Sequence, residues 1–439
     1  MQNVDMNDSP AAWKELAGAI RTGDVATASR LLAHDGVLKQ HLDQAMPGGH
    51  FGATPLLTAV YAGNVEMVDV LLAAGADINA RSDWWAGSFG VLDHDGALSD
   101  YLVERGATID VHAASRLGRL DVLETLLTAD PSLVRARGGD GQTPLHFAAS
   151  IPVAEYLLTH GAVIDARDVD HESTPAQWMI RGRTDVARYL VTRGCATDLL
   201  LAAALGDRAL ILSHLAANPA LIRMTVSEEF FPKTDPRSGG TIYTWTLGAG
   251  KNAHIVARNF GHADAFAMLM ESSSDELKLT VWCELGETEE VSSLLSSHPQ
   301  LAQRLGEAGL HKLPDAARDG NRVAVTLMLA AGWPVEARGQ HGGTALHWAA
   351  WNGDADLTRE LLRHGPPLEV TDLEYQGTPL FWAIYGSVHG WRCRTGNYVG
   401  VVDVLLNSGA QPPQMSSALE ASSAVRQVLE RWVTGGAGS

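Results

Sequence analysis

Asp168, Asp170, His171 and Glu172 lie within five residues of one another, in the stretch DARDVDHESTP at 165–175. In an extended hairpin alternate residues share a face, so Asp168, Asp170 and Glu172 would point together. Clustered carboxylates repel, which raises at least one pKa and leaves a proton donor near neutral pH. An acid and a base in one groove suit glycoside hydrolysis, or an acid-triggered isomerisation or cyclisation. The competing reading is a solvated, hydrogen-bonded turn with no chemistry. Metal binding is not expected: neither His171 and Glu172 with Asp168, nor His389 with Cys393, matches an HExxH or paired CxxC spacing. No Gly-x-Ser-x-Gly elbow or dinucleotide fingerprint occurs. Gly248-Ala249-Gly250-Lys251 is not a phosphate loop, because Trp245 stands where that motif needs glycine and Asn252 where it needs Ser or Thr. No cofactor is expected.

The elements that must position these residues are written as a repeat. Four segments align without gaps: GATPLLTAVYAGN at 52–64, GQTPLHFAAS at 141–150, GGTALHWAAWNGD at 342–354 and GTPLFWAIYG at 377–386. Second stretches follow and end in a glycine turn, as in VEMVDVLLAAGADINARS at 65–82 and ADLTRELLRHGPPLEVTD at 355–372. Thr54, Thr143 and Thr378 can cap a first helix, with Pro55, Pro144 and Pro379 in its first turn, where a missing N–H costs nothing. Paired alanines (148/149 and 349/350) let helix pairs stack closely, and the doublets Leu71/Leu72, Leu157/Leu158, Leu361/Leu362 and Leu405/Leu406 fill a core between repeats. These segments closely resemble the ankyrin repeat family, whose signature is T-P-L-H-x-A-A followed by L-L-x-x-G-A-x-x-x-A. His146 and His347 fall at the signature's histidine, where a bond to the backbone of a neighbouring repeat is expected rather than chemistry.

Weaker copies begin near Trp13, Ser88, Val111, Thr174, Leu199, Asn252, Leu277 and Lys312, and a terminal helix at 416–433 follows. Twelve units of about 33 residues account for nearly the whole chain. The expected fold is therefore all-α: one ankyrin-repeat solenoid over 11–433, with short hairpin loops and flexible ends at 1–10 and 434–439. The copies at 84–110 and 277–312 rest mainly on helix periodicity.

Function is sought where the chain departs from the repeat. Residues 225–251 interrupt it, and the β-formers TIYTWT at 241–246 beside a Pro/Gly-rich turn predict a protruding hairpin. Residues 386–396, GSVHGWRCRTG, are a second insertion, bringing His389 and Trp391. The chain has 12 Trp against 8 Tyr and 8 Phe, a surplus of the ring that anchors interfaces best. Ankyrin proteins bind partners on a concave face lined by hairpin tips and first helices. By that resemblance the binding candidates are Trp84, Trp85, Trp178, Arg181, Trp245, Trp348, Trp351, Glu374, Tyr375, Trp382, Tyr385, His389 and Trp391. Such a groove suits a basic or amphipathic peptide, a protein, or a small cationic ligand over ring faces. Enzymatic acid–base chemistry there is the alternative.

Composition bounds both readings. The chain of 439 residues is 46% hydrophobic and carries a net charge of −18, so general disorder is excluded and no basic stripe invites nucleic acid or an anionic membrane surface. Its 3 cysteines are widely spaced and form no disulfide framework, and its first residues show no signal peptide. A cytoplasmic protein is expected.

Overall fold

The computed structural model describes residues 9–34, 36–94, 97–416 and 419–435. Regular structure among them is helical, without β-strands. The chain forms two compact units, Met1–His262 and Ala263–Ser439. The expected flexible ends lie mostly outside the described residues; the first helix already begins at Ser9.

In the N-terminal unit helices recur in antiparallel pairs: Ser9–Thr22 with Val25–His34, Pro55–Tyr61 with Val65–Ala73, and Val111–Arg116 with Leu120–Ala129. A 3-10 turn at Pro144–Phe147 pairs with Ile151–Thr159; Pro175–Met179 pairs with Thr184–Thr192, and Leu199–Leu205 with Arg208–Ala217. Ala253–Asn259 closes this unit. The C-terminal unit opens on Ala263–Glu271 and continues through the pairs Asp275–Leu285/Thr288–Ser297, Lys312–Asp319/Arg322–Ala330, Ala345–Trp351/Ala355–Leu362 and Pro379–His389/Tyr398–Asn407, ending in Ser423–Gly435.

The repeat residues act as their types demand. Thr54 Oγ1 accepts the Leu57 N–H at 3.2 Å, and Thr378 Oγ1 that of Phe381 at 3.2 Å, each satisfying one orphan donor of a helix start. His146 Nδ1 accepts from Thr143 N at 3.0 Å while its Nε2–H donates to Ser173 O, 3.1 Å away in the next repeat. His347 does the same between Thr344 N and Gly377 O, both at 3.1 Å. These histidines tie neighbouring repeats together, as expected. Gly75, at φ +102°, ends its helix in a conformation that costs a side-chain-bearing residue dearly. The first leucines of the doublets, Leu71, Leu157, Leu361 and Leu405, are fully buried, each stabilising its unit by about 1.5–3 kcal/mol. Leu72, Leu158 and Leu362 are only half-buried.

Two departures from the expected pattern stand beside one weak copy that is regular. The copy near Ser88 shows no first helix among its described residues: 81–94 run irregularly ahead of Ser99–Glu104. Arg81 organises this stretch instead, reaching Ser88 O at 2.9 Å and Asp93 Oδ2 at 2.7 Å. The copy near Leu277 is a regular pair whose first helix is capped by Ser274. The hairpin expected within 225–251 does not form. Thr244–Gly248 makes a π-helical turn, because Tyr243 is fully buried and its hydroxyl donates to Asp198 Oδ2 at 3.0 Å. Burial of Ile242 and Tyr243 on the repeat outweighs the local β-propensity of TIYTWT.

Candidate functional site

The expected site residues fall into two groups, one in each unit. In the N-terminal unit the 225–251 insertion is fastened to the 168–173 turn by backbone and side-chain hydrogen bonds. Glu172 accepts from Thr234 N at 2.9 Å and Asp235 N at 3.0 Å. Gly239 N donates to Asp170 Oδ1 at 3.1 Å, His171 Nδ1–H to Gly240 O at 2.9 Å, and Ile242 N to Ser173 Oγ at 3.0 Å. A cavity of about 680 Å³ lies between turn and insertion, bordered by His171, Glu172, Asp198, Phe231 and Lys233.

The four acid–base candidates do not act as one set. The turn is not extended, so Asp168, Asp170 and Glu172 do not share a face. Asp168 turns inward to accept from His171 N at 2.9 Å and Ser173 N at 2.6 Å, a brace for its own loop. Asp372, equally six residues before a helix-capping threonine, is used likewise: it accepts from Glu374 N at 2.9 Å and Gly377 N at 2.8 Å. Glu172 is spent on the insertion. Asp170 and His171 meet instead a residue the sequence reading passed over, Asp140. Asp140 Oδ1 accepts the Trp84 indole N–H at 3.1 Å, and its carbonyl accepts from Val169 N at 2.7 Å. Burial raises its carboxyl to about pKa 6; nearby Asp170 and Asp168 push the same way, against the pull of His171. Burial also raises the carboxyl of Asp168. Asp140 stands three residues before Thr143, as His341 stands before Thr344, and both occupy a hairpin tip at positive φ. That register could have pointed to it.

The indoles of this unit surround the cluster loosely. Trp178 packs edge-on to His171 at 5.3 Å, and Trp84 edge-on to Phe51 at 5.0 Å. The Arg237 guanidinium lies 4.4 Å from the ring centroid of Trp85. Trp245 is 68% exposed on the insertion, and Arg181 is exposed.

In the C-terminal unit the aromatic candidates build one pocket. Trp348, Trp351, Tyr375, Trp382, Tyr385 and Trp391, with Phe381 and His341, enclose about 540 Å³. Helix Ala345–Trp351 supplies two indoles; helix Pro379–His389, which runs into the second insertion, supplies three rings. Trp391, 67% exposed, lies nearly parallel to Trp348 (5.8 Å, 18°), and Trp351 lies nearly parallel to Tyr385 (6.4 Å, 27°). Trp348 and Trp382 are wall and core at once, being 3% and 6% exposed. The Trp382 N–H donates to Asp372 Oδ2 at 2.9 Å, whereas those of Trp348 and Trp351 are buried with no acceptor among the described residues. Glu374 pairs with His341 at the rim, and His389 with Glu420.

No helix among the described residues is long and apolar enough to cross a membrane. Cys195 and Cys283 are buried thiols, and Cys393 is an exposed one.

Among curated proteins, the chain is 29% identical to the palmitoyltransferase Hip14 of Drosophila melanogaster over 126 residues, covering 29% of this chain and 18% of that one. It is 22% identical to the E3 ubiquitin-protein ligase KEG of Arabidopsis thaliana over 268 residues, 58% of this chain and 16% of that one. It is 30% identical to mouse ankyrin repeat and SAM domain-containing protein 6 over 124 residues, 27% and 14% of the two chains. The chain thus spans under a fifth of the length of these relatives, and the likeness supports a role in protein interaction only. The family models for ankyrin repeats match residues 51–83, 111–224 and 313–416, more than half of the chain, and the matched stretches hold most of the helix pairs described above. With histidines bonding from repeat to repeat in both units, the chain belongs to the ankyrin repeat family.

Proposed function

We propose that this is an interaction protein whose C-terminal unit seats a cationic group of its partner, an alkylammonium or guanidinium, in the aromatic pocket. The observation that carries this reading is the enclosure itself: seven aromatic rings and one imidazole around about 540 Å³, a volume within the range of ligand pockets. Ring faces attract cations by about 0.5–2 kcal/mol each, more as water is excluded. Trp348 already has the Arg318 guanidinium 6.0 Å from its ring centroid. A net charge of −18 favours a cationic partner over an anionic one. The finer picture of one acidic, Trp-rich concave groove is replaced in this proposal by a bounded pocket.

The test compares a peptide bearing a trimethylammonium side chain with its neutral tert-butyl isostere, by calorimetry on the full chain. The cationic peptide should bind at least about tenfold more tightly, and Trp391→Ala should remove the difference. Equal affinities for both peptides would instead assign the pocket to apolar groups.

A further inference from the structure

From the N-terminal unit we infer that Asp140, Asp170 and His171 form a binding site for a divalent transition-metal ion, Zn²⁺ by preference. The three residues come from two successive hairpin tips and are all buried, and one ligand atom of each lies within 4.8 Å of the others. The imidazole shows what the site lacks. His171 Nδ1 faces the Gly240 carbonyl at 2.9 Å, and a carbonyl can only accept, so Nδ1 carries the proton. Nε2 is then the ring atom turned toward the carboxylates. It makes no hydrogen bond among the described residues, its side chain is 10% exposed, and its nearest charged neighbour is another acceptor, Asp170 Oδ2 at 3.5 Å. Nε2 and the carboxylate oxygens of Asp170 and Asp140 thus converge within 4.8 Å of one another, the arrangement that a bound cation would join.

Each ligand is also held as metal ligands are held. One oxygen of Asp140 accepts the Trp84 N–H, one oxygen of Asp170 accepts the Gly239 N–H, and His171 donates its other nitrogen to a carbonyl. One atom of each residue is left for an ion. Zn²⁺ bonded at about 2.0–2.1 Å in tetrahedral geometry keeps its ligand atoms about 3.4 Å apart, close to the observed Nε2–Oδ2 separation. One imidazole with two carboxylates suits a first-row ion better than Ca²⁺, which wants six to eight oxygens. His171 borders the cavity of about 680 Å³, which gives ion and water a way in. Sequence spacing hid this set, because Asp140 lies 30 residues before Asp170, and Asp168 and Glu172, its nearer rivals, are spent on backbone N–H groups.

The experiment is equilibrium dialysis of the chelator-stripped full chain against Zn²⁺, read by elemental analysis. One equivalent should bind, and Asp140→Asn or His171→Gln should each weaken it at least about a hundredfold, while Trp84→Phe, removing only the donor to Asp140, should weaken it about tenfold. His298→Asn, at an exposed histidine, should change nothing. Should the ligand variants lose their helicity, X-ray absorption of the Zn²⁺-loaded wild type decides, and one imidazole with oxygen donors is the expected shell. Stoichiometric Zn²⁺ retained by the Asp140 and His171 variants would overturn the inference. So would the absence of stoichiometric Zn²⁺ binding to the wild type.

Discussion

At the scale of single residues, the same amino acid serves different ends. Trp382 and Trp391 both stood out in the sequence as surplus indoles, and nothing in residue type separates them. The structure does: Trp382 is 6% exposed with its N–H on Asp372, while Trp391 is 67% exposed over Trp348. Sequence marks Trp382 as a binding candidate; packing makes it a structural residue as well. Deleting this ring opens a cavity and removes one of the donors to the buried Asp372 carboxylate, so Trp382→Ala should cost about 3–5 kcal/mol in denaturant unfolding. Trp391→Ala should cost under about 1 kcal/mol. Similar losses for both variants would contradict the division of the pocket into core wall and exposed face. Aspartates teach the same lesson. Asp168 was legible as charge, but its role as a brace depends on where the chain turns, and Asp140 became visible as its neighbour only once two hairpin tips were placed side by side.

At the scale of elements, helix pairs were legible wherever Thr-Pro-Leu-His chemistry recurred, because caps, small residues and glycine ends are local and additive. The irregular stretch of the copy near Ser88 was not, since Arg81 organises residues 81–93 through polar contacts that periodicity does not encode. The failed hairpin at 241–246 likewise turned on a tertiary bond, Tyr243 to Asp198. The histidine ties make a pH-dependent prediction. Burial lowers His146 to about pKa 3 and His347 to about pKa 4, from 6.5. The unfolded chain therefore binds the extra protons, so the stability these histidines confer is complete above about pH 6.5 and is lost as pH falls toward 4. At pH 5 each should have lost about 2 kcal/mol. Gln177 shows a neutral replacement, since its side-chain oxygen accepts from Thr174 N at 2.9 Å in the same box. The double variant His146→Gln/His347→Gln should unfold at a midpoint that depends less on pH between 6.5 and 4.5 than the wild type does. Parallel wild-type and variant profiles would mean these rings are not buried neutral.

At the scale of the whole molecule, the charge of −18 acts on encounter rather than on fold. The repeat architecture was legible where a repeat carries its own short signature. The sites were less so, because each draws on an insertion and on residues from separate repeats: Gly239 and Gly240 beside Asp170 and His171 in one unit, Trp391 over Trp348 in the other. An acidic chain with a ring-lined pocket should attract a cation in two separable ways. Long-range attraction falls with salt, since the Debye length shrinks from about 10 Å at 0.1 M to about 3 Å at 1 M. Contact with the ring faces is short-ranged and desolvated, so it should persist. The association rate of the trimethylammonium peptide should therefore drop at least about tenfold between 0.05 and 0.5 M NaCl, as expected for electrostatic steering. Its dissociation rate should change less than about twofold, whereas Trp391→Ala should raise dissociation and leave the salt slope of association intact. Stopped-flow fluorescence from the pocket indoles reads both rates in one experiment. A dissociation rate that climbed with salt as steeply as association fell would show that surface charge, not the pocket, holds the cation.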